Sequence, residues 1–364
     1  MSKNYDLVRF FPYVTLGNGG MENHIVRLTE IQKKRADLKI ALAYNEGNFN
    51  DSEDIRVWRR FKLFSIRPLF LMFFTFYLSV ILKLFLNPTR AKVIHIHGDW
   101  SSYLFSPLLK RILSARKVVF SFHGSISTHS QFQLFLFSKT VKFADVIFVS
   151  GYETYEFLRL KFHGKLVFQP SGIEDYFFGD HLKGDGRLDN KFTCLTVGNM
   201  YPVKNHSLVL DIAREAKDVN FIIIGSGLDM EFLRKRIESE CITNVELMGK
   251  KSKYEVSEFM KKVDLFLLTS LAEGTPTVIL EAMARGLPVV TSNAGGIQKI
   301  ISNRRNGFVV SSFLSTDFLD KIRILQNNRS LYNDIVINNL NDSTKYKWEK
   351  VEETITKNSI YEYS

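Results

Sequence analysis

The sequence predicts an α/β protein built from two doubly wound domains that face each other across a cleft. Short runs of β-branched and aromatic residues alternate with helical stretches, as is typical of parallel sheets covered by helices on both faces. The alternation is interrupted by a polar stretch with Gly and Asp at residues 179–191 and then starts again. The length of 364 residues also fits two domains of about 150–180 residues each.

Strands are predicted on both sides of this interruption. Those before it are Leu7–Val14, Lys39–Tyr44, Val93–His97, Lys117–Phe122, Val146–Val149 and Leu166–Gln169. Those after it are Thr193–Val197, Asn220–Ile224, Val245–Met248, Leu265–Leu268, Pro288–Thr291 and Gly307–Val309. We therefore expect an N-terminal domain over residues 1–170, a linker over 171–192 and a C-terminal domain over 193–345. A final helix within 346–364, read at Tyr346–Tyr361, is expected to pack back toward the N-terminal domain.

The composition excludes several classes of protein. Hydrophobic residues make up 45% of the chain and charged residues 24%, so both domains can bury a core and the chain is not disordered as a whole. The two cysteines, Cys194 and Cys241, exclude a disulfide scaffold and a four-cysteine zinc site, and they favour a reducing compartment. The net charge of +11 favours an anionic partner: nucleic acid, a phosphorylated substrate or membrane lipid.

The most informative segment is Thr269–Gly296, TSLAEGTPTVILEAMARGLPVVTSNAGG. Ligands of open α/β sheets bind beyond the carboxyl ends of strands, and this loop follows a predicted strand. Thr275 is predicted as the N-cap of the next helix and Pro276 as its first residue. The amides of Gly274–Thr277 would then point outward from a helix N-terminus, an arrangement that binds anions.

Two carboxylates flank that helix start. Glu273 comes directly before it, and Glu281 lies in the helix eight residues later. Carboxylates hydrogen-bond sugar hydroxyls, so the segment suits a ligand with sugar, ribose and phosphate parts. The alternative is a capping loop followed by a solvated helix glutamate.

Two further turns after strands carry candidate phosphate contacts. In Val197–Asn205, VGNMYPVKN, Gly198 allows a tight turn and Lys204 can reach a phosphate; the alternative is a surface lysine in a loop. In IIGSGL, Gly225 and Gly227 allow close backbone approach, although the G-x-G-x-x-G fingerprint of dinucleotide sites is incomplete.

The N-terminal half has its own candidates. Gly17, Gly19 and Gly20 lead from the first strand into a helix, a place where phosphate or an acceptor can approach. His123 ends a strand in the sequence FHGS. His95 and His97 share a strand face and could form a metal pair, but a structural role is favoured because no third ligand lies near them in sequence.

Several catalytic motifs do not occur in the sequence. It contains no D-x-D motif, which would support a divalent metal bound to a diphosphate. The P-loop motif and the G-x-S-x-G motif of hydrolases are not found either.

Together these motifs resemble glycosyltransferase family 4, whose members have the GT-B fold of two Rossmann-like domains. Glu273 and Glu281 match the family's E-x7-E pattern within EGTPTVILEAMARGLPVV, and GNMYPVKN resembles its donor-phosphate motif. LGNGGMENHIVRL resembles the family's N-terminal glycine loop, and HIHGDW and FSFHGS match strand ends. The resemblance covers nearly the whole chain and is strongest from Leu195 to Val310.

The resemblance implies a retaining, metal-independent transfer of a sugar from a UDP- or GDP-sugar. The resemblance implies three catalytic residues. Lys204 would neutralise the leaving diphosphate, and Glu273 would bind sugar hydroxyls beside the developing positive charge. His123 would contact the donor sugar or the reacting phosphate side. Glu281 would bind the donor ribose. The other donor-binding positions would be Gly198, Asn199, Gly225, Gly274, Thr275, Pro276 and Thr277, with Gly19 and Gly20 lining the acceptor and phosphate loop.

One position departs from the family pattern. The family often has Arg five residues before the lysine, and this chain has Asn199 there. Asparagine can donate a hydrogen bond but adds no charge, so the second phosphate contact would lack the cation that the family often supplies there.

Residues Val57–Arg90 combine an apolar helix with basic flanks. Its uncharged run, Leu69–Leu82, is shorter than the roughly 20 residues of a membrane span. It is either a helix packed on the first sheet or one partly inserted in an anionic membrane surface. In the second case the basic contacts are Arg59, Arg60, Lys62, Arg67 and Arg90, and the apolar contacts include Phe73 and Phe74.

A membrane surface would suit a lipid-linked acceptor such as a polyprenyl-diphosphate sugar. The N-terminus lacks the pattern of a signal peptide. From the family resemblance, the charge and the apolar helix together, we expect a cytoplasmic enzyme, peripheral on the inner face of the cytoplasmic membrane. It would transfer a hexose or N-acetylhexosamine in bacterial surface polysaccharide biosynthesis. The alternatives are a nucleotide-sugar epimerase and a non-catalytic nucleotide-sugar-binding subunit. A nucleic-acid partner is not expected, because no basic–aromatic motif supports one.

Overall fold

The protein is described by a computed structural model over residues 3–12, 20–35, 38–44, 55–56, 69–98, 100–124, 126, 129–179 and 191–361. The chain divides into two compact units. One comprises Met1–Gly172 together with Trp348–Ser364, and the other comprises Ile173–Lys347. Each unit contains its own parallel sheet.

Seven parallel strands are seen in the described part of the first unit, in the order β3-β2-β1-β4-β5-β6-β7. They are β1 (Lys3–Phe11), β2 (Ile40–Tyr44), β3 (Ile55–Arg56), β4 (Thr89–His97), β5 (Lys117–Phe122), β6 (Val146–Val149) and β7 (Lys165–Phe168). In the central pair, Leu7 of β1 lies opposite Val93 of β4. The central strands are almost wholly buried, which explains their near-continuous apolar sequences.

Helices cover both faces of this sheet. They are α1 (Gly20–Arg35), α2 (Leu69–Leu86), α3 (Trp100–Tyr103), α4 (Ser106–Ile112), α5 (Gln131–Thr140), α6 (Tyr152–Arg159) and α13 (Trp348–Thr356). One core joins α2, α4 and α5 to one face of the sheet. A second core joins α1 and α13 to the other face. Its strand residues alternate along each strand with those of the first core, because successive side chains of a strand point to opposite faces.

The described residues of the second unit form a six-stranded parallel sheet in the order β10-β9-β8-β11-β12-β13. Its strands are β8 (Phe192–Val197), β9 (Val219–Ile224), β10 (Val245–Gly249), β11 (Leu265–Leu268), β12 (Val289–Ser292) and β13 (Gly307–Val310). Its helices are α7 (His206–Glu215), α8 (Met230–Ser239), α9 (Lys253–Met260), α10 (Thr277–Ala284), α11 (Ser315–Asn327) and α12 (Arg329–Ser343). Helices α7, α11 and α12 bury one face of the sheet, and α9 and α10 bury the other.

The predicted fold class, two doubly wound α/β domains, is confirmed. Each predicted strand overlaps an observed one, and β3, a two-residue strand at the sheet edge, is an additional one. The second unit begins at Ile173, inside the segment expected to be a linker, because Ile173 and Phe177 are buried in its core. The C-terminal helix belongs to the first unit, where α13 contacts α1.

Candidate functional site

Two loops of the second unit are joined at the carboxyl edge of its sheet. They follow β8 and β11, which are neighbours in the sheet. The amide of Leu271 donates to the carbonyl of Val203 at 2.8 Å, and the hydroxyl of Thr269 donates to the carbonyl of Asn205 at 3.0 Å. These bonds fix the loop that carries Lys204 against the loop that carries Glu273.

The two loops bring Lys204 and Glu273 into an ion pair. The Nζ atom of Lys204 lies 2.7 Å from Oε1 of Glu273. The same oxygen accepts a hydrogen bond from the hydroxyl of Ser270 at 2.6 Å. The Glu273 side chain is only 8% exposed, so its charge is compensated by these two donors rather than by bulk water. Sequence reasoning missed Ser270, whose position three residues before the carboxylate was the available signal.

The backbone at Glu273 is held from behind by Gly295. A Cβ atom on Gly295 would lie 2.1 Å from the carbonyl oxygen of Glu273, and Gly295 has a φ of +60°. Glycine is therefore required there for two independent reasons. By contrast, a Cβ atom on Gly274 would meet no atom within 4 Å, so the backbone beside Glu273 borders open space.

The helix after this loop begins one residue later than the sequence predicts. Pro276, not Thr275, is the N-cap: its ψ of 106° is extended, and its carbonyl accepts the first helical hydrogen bond, from the amide of Ile279 at 3.1 Å. Thr277 is thus the first helical residue. The prediction that Thr275 caps the helix and Pro276 begins it is wrong, because an extended proline lies outside the helix while its carbonyl starts the hydrogen-bond ladder.

Glu281 is a buried residue of α10. Its Oε1 atom lies 3.2 Å from Nζ of Lys253, the first residue of α9. Burial raises the pKa of Glu281, and the Lys253 ammonium opposes that rise. The alternative interpretation, a solvated helix glutamate, is wrong because the side chain is almost fully removed from solvent. Lys253 was not foreseen, since it comes from a different strand–helix connection.

The glycines after β8 and β9 lie against each other. A Cβ atom on Gly225 would lie 1.9 Å from the carbonyl oxygen of Gly198, so only glycine permits this approach. A Cβ atom on Gly198 would lie 3.9 Å from both Lys204 and the Nε2 atom of His206. Burial and the nearby Lys204 charge lower the pKa of His206 to about 4, so a neutral imidazole lies beside the lysine. Asn199 is exposed at this turn.

The first unit places four histidines together beside the end of β5. The Nε2 atom of His123 lies 3.0 Å from Nδ1 of His97, and the planes of the two rings are nearly parallel. The ring of His24 lies 4.9 Å from that of His123, and its Nδ1 lies 2.9 Å from the hydroxyl of Ser171. The Nε2 atom of His95 lies 2.8 Å from the hydroxyl of Ser121.

These histidines are neutral. Burial lowers the pKa of His123 to about 4, and burial also holds the pKa values of His24, His95 and His97 well below the usual range, with nearby histidines and Arg9 adding to the effect. Across the described ranges, no group of three or more His, Cys, Asp or Glu side chains is arranged to hold a metal ion. Sequence reasoning singled out His123, His95 and His97 but not His24.

Several predicted site residues lie outside the part of the chain that the structure describes. They are Gly17, Gly19, Arg59, Arg60, Lys62 and Arg67. Gly20 is the first residue of α1, and Phe73 lies within α2. Phe74 is exposed on α2, and Arg90 is exposed on β4.

No helix in the described part of the chain has the length and apolarity needed to cross a membrane.

Comparisons with known proteins match nearly the whole chain. Residues 18–175 match the family model Glycosyltransferase Family 4, and residues 180–342 match the family model Glycosyl transferases group 1. An uncharacterized glycosyltransferase of Methanocaldococcus jannaschii is 25% identical over 349 residues, which are 94% of this chain and 93% of that protein. Escherichia coli UDP-Gal:alpha-D-GlcNAc-diphosphoundecaprenol alpha-1,3-galactosyltransferase is 29% identical over 159 residues, covering 40% of this chain and 41% of that protein.

Solved structures of similar fold cover the chain from end to end. Anabaena HepE in complex with UDP and glucose superposes with a TM-score of 0.74 at 16% sequence identity, covering 97% of this chain and 99% of that one. Likeness at this identity establishes the fold, which is the GT-B arrangement of two Rossmann-like domains.

Proposed function

Because the chain belongs to the glycosyltransferases matched by the Family 4 and group 1 models, we propose that it transfers a hexose or N-acetylhexosamine from a nucleotide-diphosphate sugar to a lipid-linked glycan. We further propose that the transfer retains the anomeric configuration and needs no metal ion. The observation that carries the proposal is the ion pair of Lys204 and Glu273, held by Ser270 beside the open backbone at Gly274.

In this proposal the second unit binds the donor. Lys204 and the amides near Gly274–Thr277 bind the diphosphate, where negative charge develops as the leaving group departs. Once Lys204 has a phosphate partner, Glu273 can accept hydrogen bonds from sugar hydroxyls. The buried carboxylate of Glu281, positioned by Lys253, accepts the ribose hydroxyls.

The reaction balances within the donor and the acceptor. The bond between the anomeric carbon and the diphosphate breaks, and its electron pair stays on the phosphate oxygen. The acceptor hydroxyl forms the new bond to that carbon on the same face, and its proton passes to the departing phosphate. Glu273 stabilises the positive charge that develops on the sugar ring. His123, a residue of the first unit, is proposed to contact the donor sugar or its phosphate.

The names of similar proteins guide the choice of substrates. The E. coli relative is named for UDP-galactose and a diphosphoundecaprenol acceptor, and the Anabaena structure contains UDP. We therefore propose a UDP-sugar over a GDP-sugar and a polyprenyl-diphosphate glycan as acceptor. The corresponding setting is surface polysaccharide assembly on the inner face of the cytoplasmic membrane.

Nucleotide binding in EDTA is the first test. UDP at 100 times its Kd should stabilise the protein by about 2.7 kcal/mol, and this shift should be lost in Glu281→Ala. Glu246→Ala, at an exposed residue of β10 in the same unit, is the control and should keep the shift. No shift with UDP, GDP or their sugars would contradict the donor site.

Product analysis separates the remaining alternatives. Transfer of labelled sugar to a polyprenyl-diphosphate glycan supports the proposal, and NMR of the new linkage reports its configuration. Conversion of the donor sugar without any acceptor would instead indicate an epimerase. UDP binding with neither reaction would indicate a partner subunit.

A further inference from the structure

Helix α2 is apolar on both sides. Phe76, Tyr77, Val80, Ile81 and Leu84 are buried against the sheet. The other side of the helix exposes five apolar residues: Phe74, Leu78, Leu82, Phe85 and Leu86. Successive residues of this set are four, three or one position apart, which places them on one face of the helix. Phe85 is 68% exposed and Leu86 67% exposed. A helix packed only against its own domain would have polar residues on that outer face.

The exposed apolar surface continues onto neighbouring helices of the same unit. Leu104 is exposed in the connection between α3 and α4, and Leu108 is exposed within α4. Phe132 and Phe135 are exposed on α5, and Phe143 is exposed in the turn after it. The stacked rings of Tyr77 and Phe105, whose centroids lie 4.6 Å apart, join α2 to the segment before α4. We call the exposed side of α2, α4, α5 and the turn Val141–Phe143 the outer helical face. An exposed apolar surface of this extent is typical of an interaction site.

The charge of the chain is concentrated in the same stretch of sequence. Residues 57–143 contain 13 of the 49 Lys and Arg residues but only one of the 38 Asp and Glu residues, Asp99. This stretch therefore carries a net charge of +12, and the rest of the chain carries −1. Exposed basic residues lie among the apolar ones, including Arg111 in α4 and Lys142 in the turn after α5.

We propose that the outer helical face docks on an anionic lipid surface, with its Phe and Leu side chains inserted at the headgroup boundary and its basic residues on the headgroups. This inference deepens the proposed function, on which it rests for the lipid-linked acceptor. The four segments of the outer helical face contain basic residues but no Asp or Glu; the basic residues are Lys83, Lys110, Arg111, Lys139 and Lys142. Two copies of this face would repel each other, so the charge favours lipid over a second copy of the chain. The apolar residues favour lipid over nucleic acid, whose backbone offers no apolar partner.

Flotation of the full chain with vesicles tests this proposal. We expect binding to phosphatidylcholine vesicles that contain about a third phosphatidylglycerol, and binding about 10-fold weaker or more without the anionic lipid. Raising the salt concentration should weaken the binding, because headgroup contacts are screened.

Two pairs of substitutions locate the surface. Phe85→Gln with Leu86→Gln should lower vesicle binding by about 10-fold, and so should Phe132→Gln with Phe135→Gln on α5. The matched control is Leu228→Gln with Phe232→Gln in the second unit, at side chains that are 80% and 53% exposed; it should bind vesicles like the wild type.

Three results would overturn the proposal: a wild type that ignores anionic vesicles, substituted pairs that bind as well as wild type, or a control pair that loses binding equally. A dimer seen by light scattering and abolished by Phe85→Gln with Leu86→Gln, without vesicle binding, would assign the face to self-association instead. UDP-induced stabilisation, measured on every variant, separates the two claims. Lost vesicle binding with retained UDP binding concerns the surface alone, and vesicle binding without nucleotide binding contradicts only the proposed function.

Discussion

Lys204 and Glu273 form an ion pair at 2.7 Å although 69 residues separate them in sequence. Each side chain comes from the loop after one of two neighbouring parallel strands, β8 and β11. The pair therefore depends on the order of strands in the sheet rather than on any local motif. It links the residue proposed to bind the leaving group to the residue proposed to bind the sugar.

Removal of the lysine charge should chiefly reduce turnover. Lys204→Ala removes the cation proposed to stabilise the leaving diphosphate, and we expect a loss of roughly 3 kcal/mol, seen in kcat. Steady-state kinetics of sugar transfer measures it. The control is Lys217→Ala, an exposed lysine of the same unit, which should keep wild-type turnover. Full activity in Lys204→Ala would contradict the proposed site.

Gly295 and Gly274 should respond differently to the same substitution. Gly295→Ala places a methyl group against the Glu273 carbonyl at a positive φ, so we expect a destabilisation of about 2–4 kcal/mol together with loss of activity. Gly274→Ala meets no neighbouring atom and should keep the wild-type stability, while weakening UDP binding if the diphosphate approaches there. Thermal unfolding and UDP titration of both variants distinguish the two effects. Equal stability of the two variants would contradict this account.

His97 should act as a positioning residue for His123. Both rings are neutral, and Nε2 of His97 is buried with no hydrogen-bond partner among the described residues. A buried N–H without a partner is rarer than an unpaired acceptor, so His97 should carry its proton on Nδ1 and donate it to Nε2 of His123. His123 would then carry its own proton on Nδ1.

Substitution at His97 tests this tautomer. His97→Ala should lower kcat about 10-fold or more with little change in KM, because the ring of His123 loses its orientation. His97→Asn places an amide N–H near the former Nδ1 position and should restore part of the rate, whereas His97→Gln should not. Equal rates for the Asn and Gln variants would indicate a purely structural role.

The protein should lose stability as the pH falls below about 6.5. Five histidines, His24, His95, His97, His123 and His206, have pKa values lowered by burial. At pH values between the unfolded pKa of each histidine and its lowered pKa in the folded protein, the unfolded chain binds more protons than the folded one. A fall in pH through this range therefore favours unfolding. Each such histidine contributes at most about 1.4 kcal/mol per pH unit in that window.

Thermal unfolding at pH 7.5, 6.5 and 5.5 measures this dependence. His95→Gln, whose amide can keep the bond to Ser121, should make it shallower. His163→Gln, at an exposed histidine, should leave it unchanged. Stability that stays constant from pH 7.5 to 5.5 would show that the buried histidines do not control acid unfolding.

The strands and the positions directly after them could be predicted from sequence, because buried parallel strands are continuous apolar runs. The partner of Glu281 could not, because Lys253 begins a different helix, α9, which only the fold brings near Glu281. Ser270 lies in the same loop as Glu273, three residues before it, but the sequence does not show that the loop turns this hydroxyl onto the carboxylate. The start of α10 was misplaced by one residue because proline is compatible with both the N-cap and the first helical position, and only its ψ distinguishes them.

The last helix of the chain completes the first unit. Trp348, Val351 and Ile355 of α13 lie in the core shared with α1, and the Gln32 amide donates to the Thr356 hydroxyl across 324 residues of sequence. On the ribosome, the first unit emerges long before these side chains are synthesised. The apolar surface of α1 that α13 covers in the folded protein therefore stays exposed while the whole second unit is translated. A chaperone that shields this surface would act on the nascent chain throughout that interval.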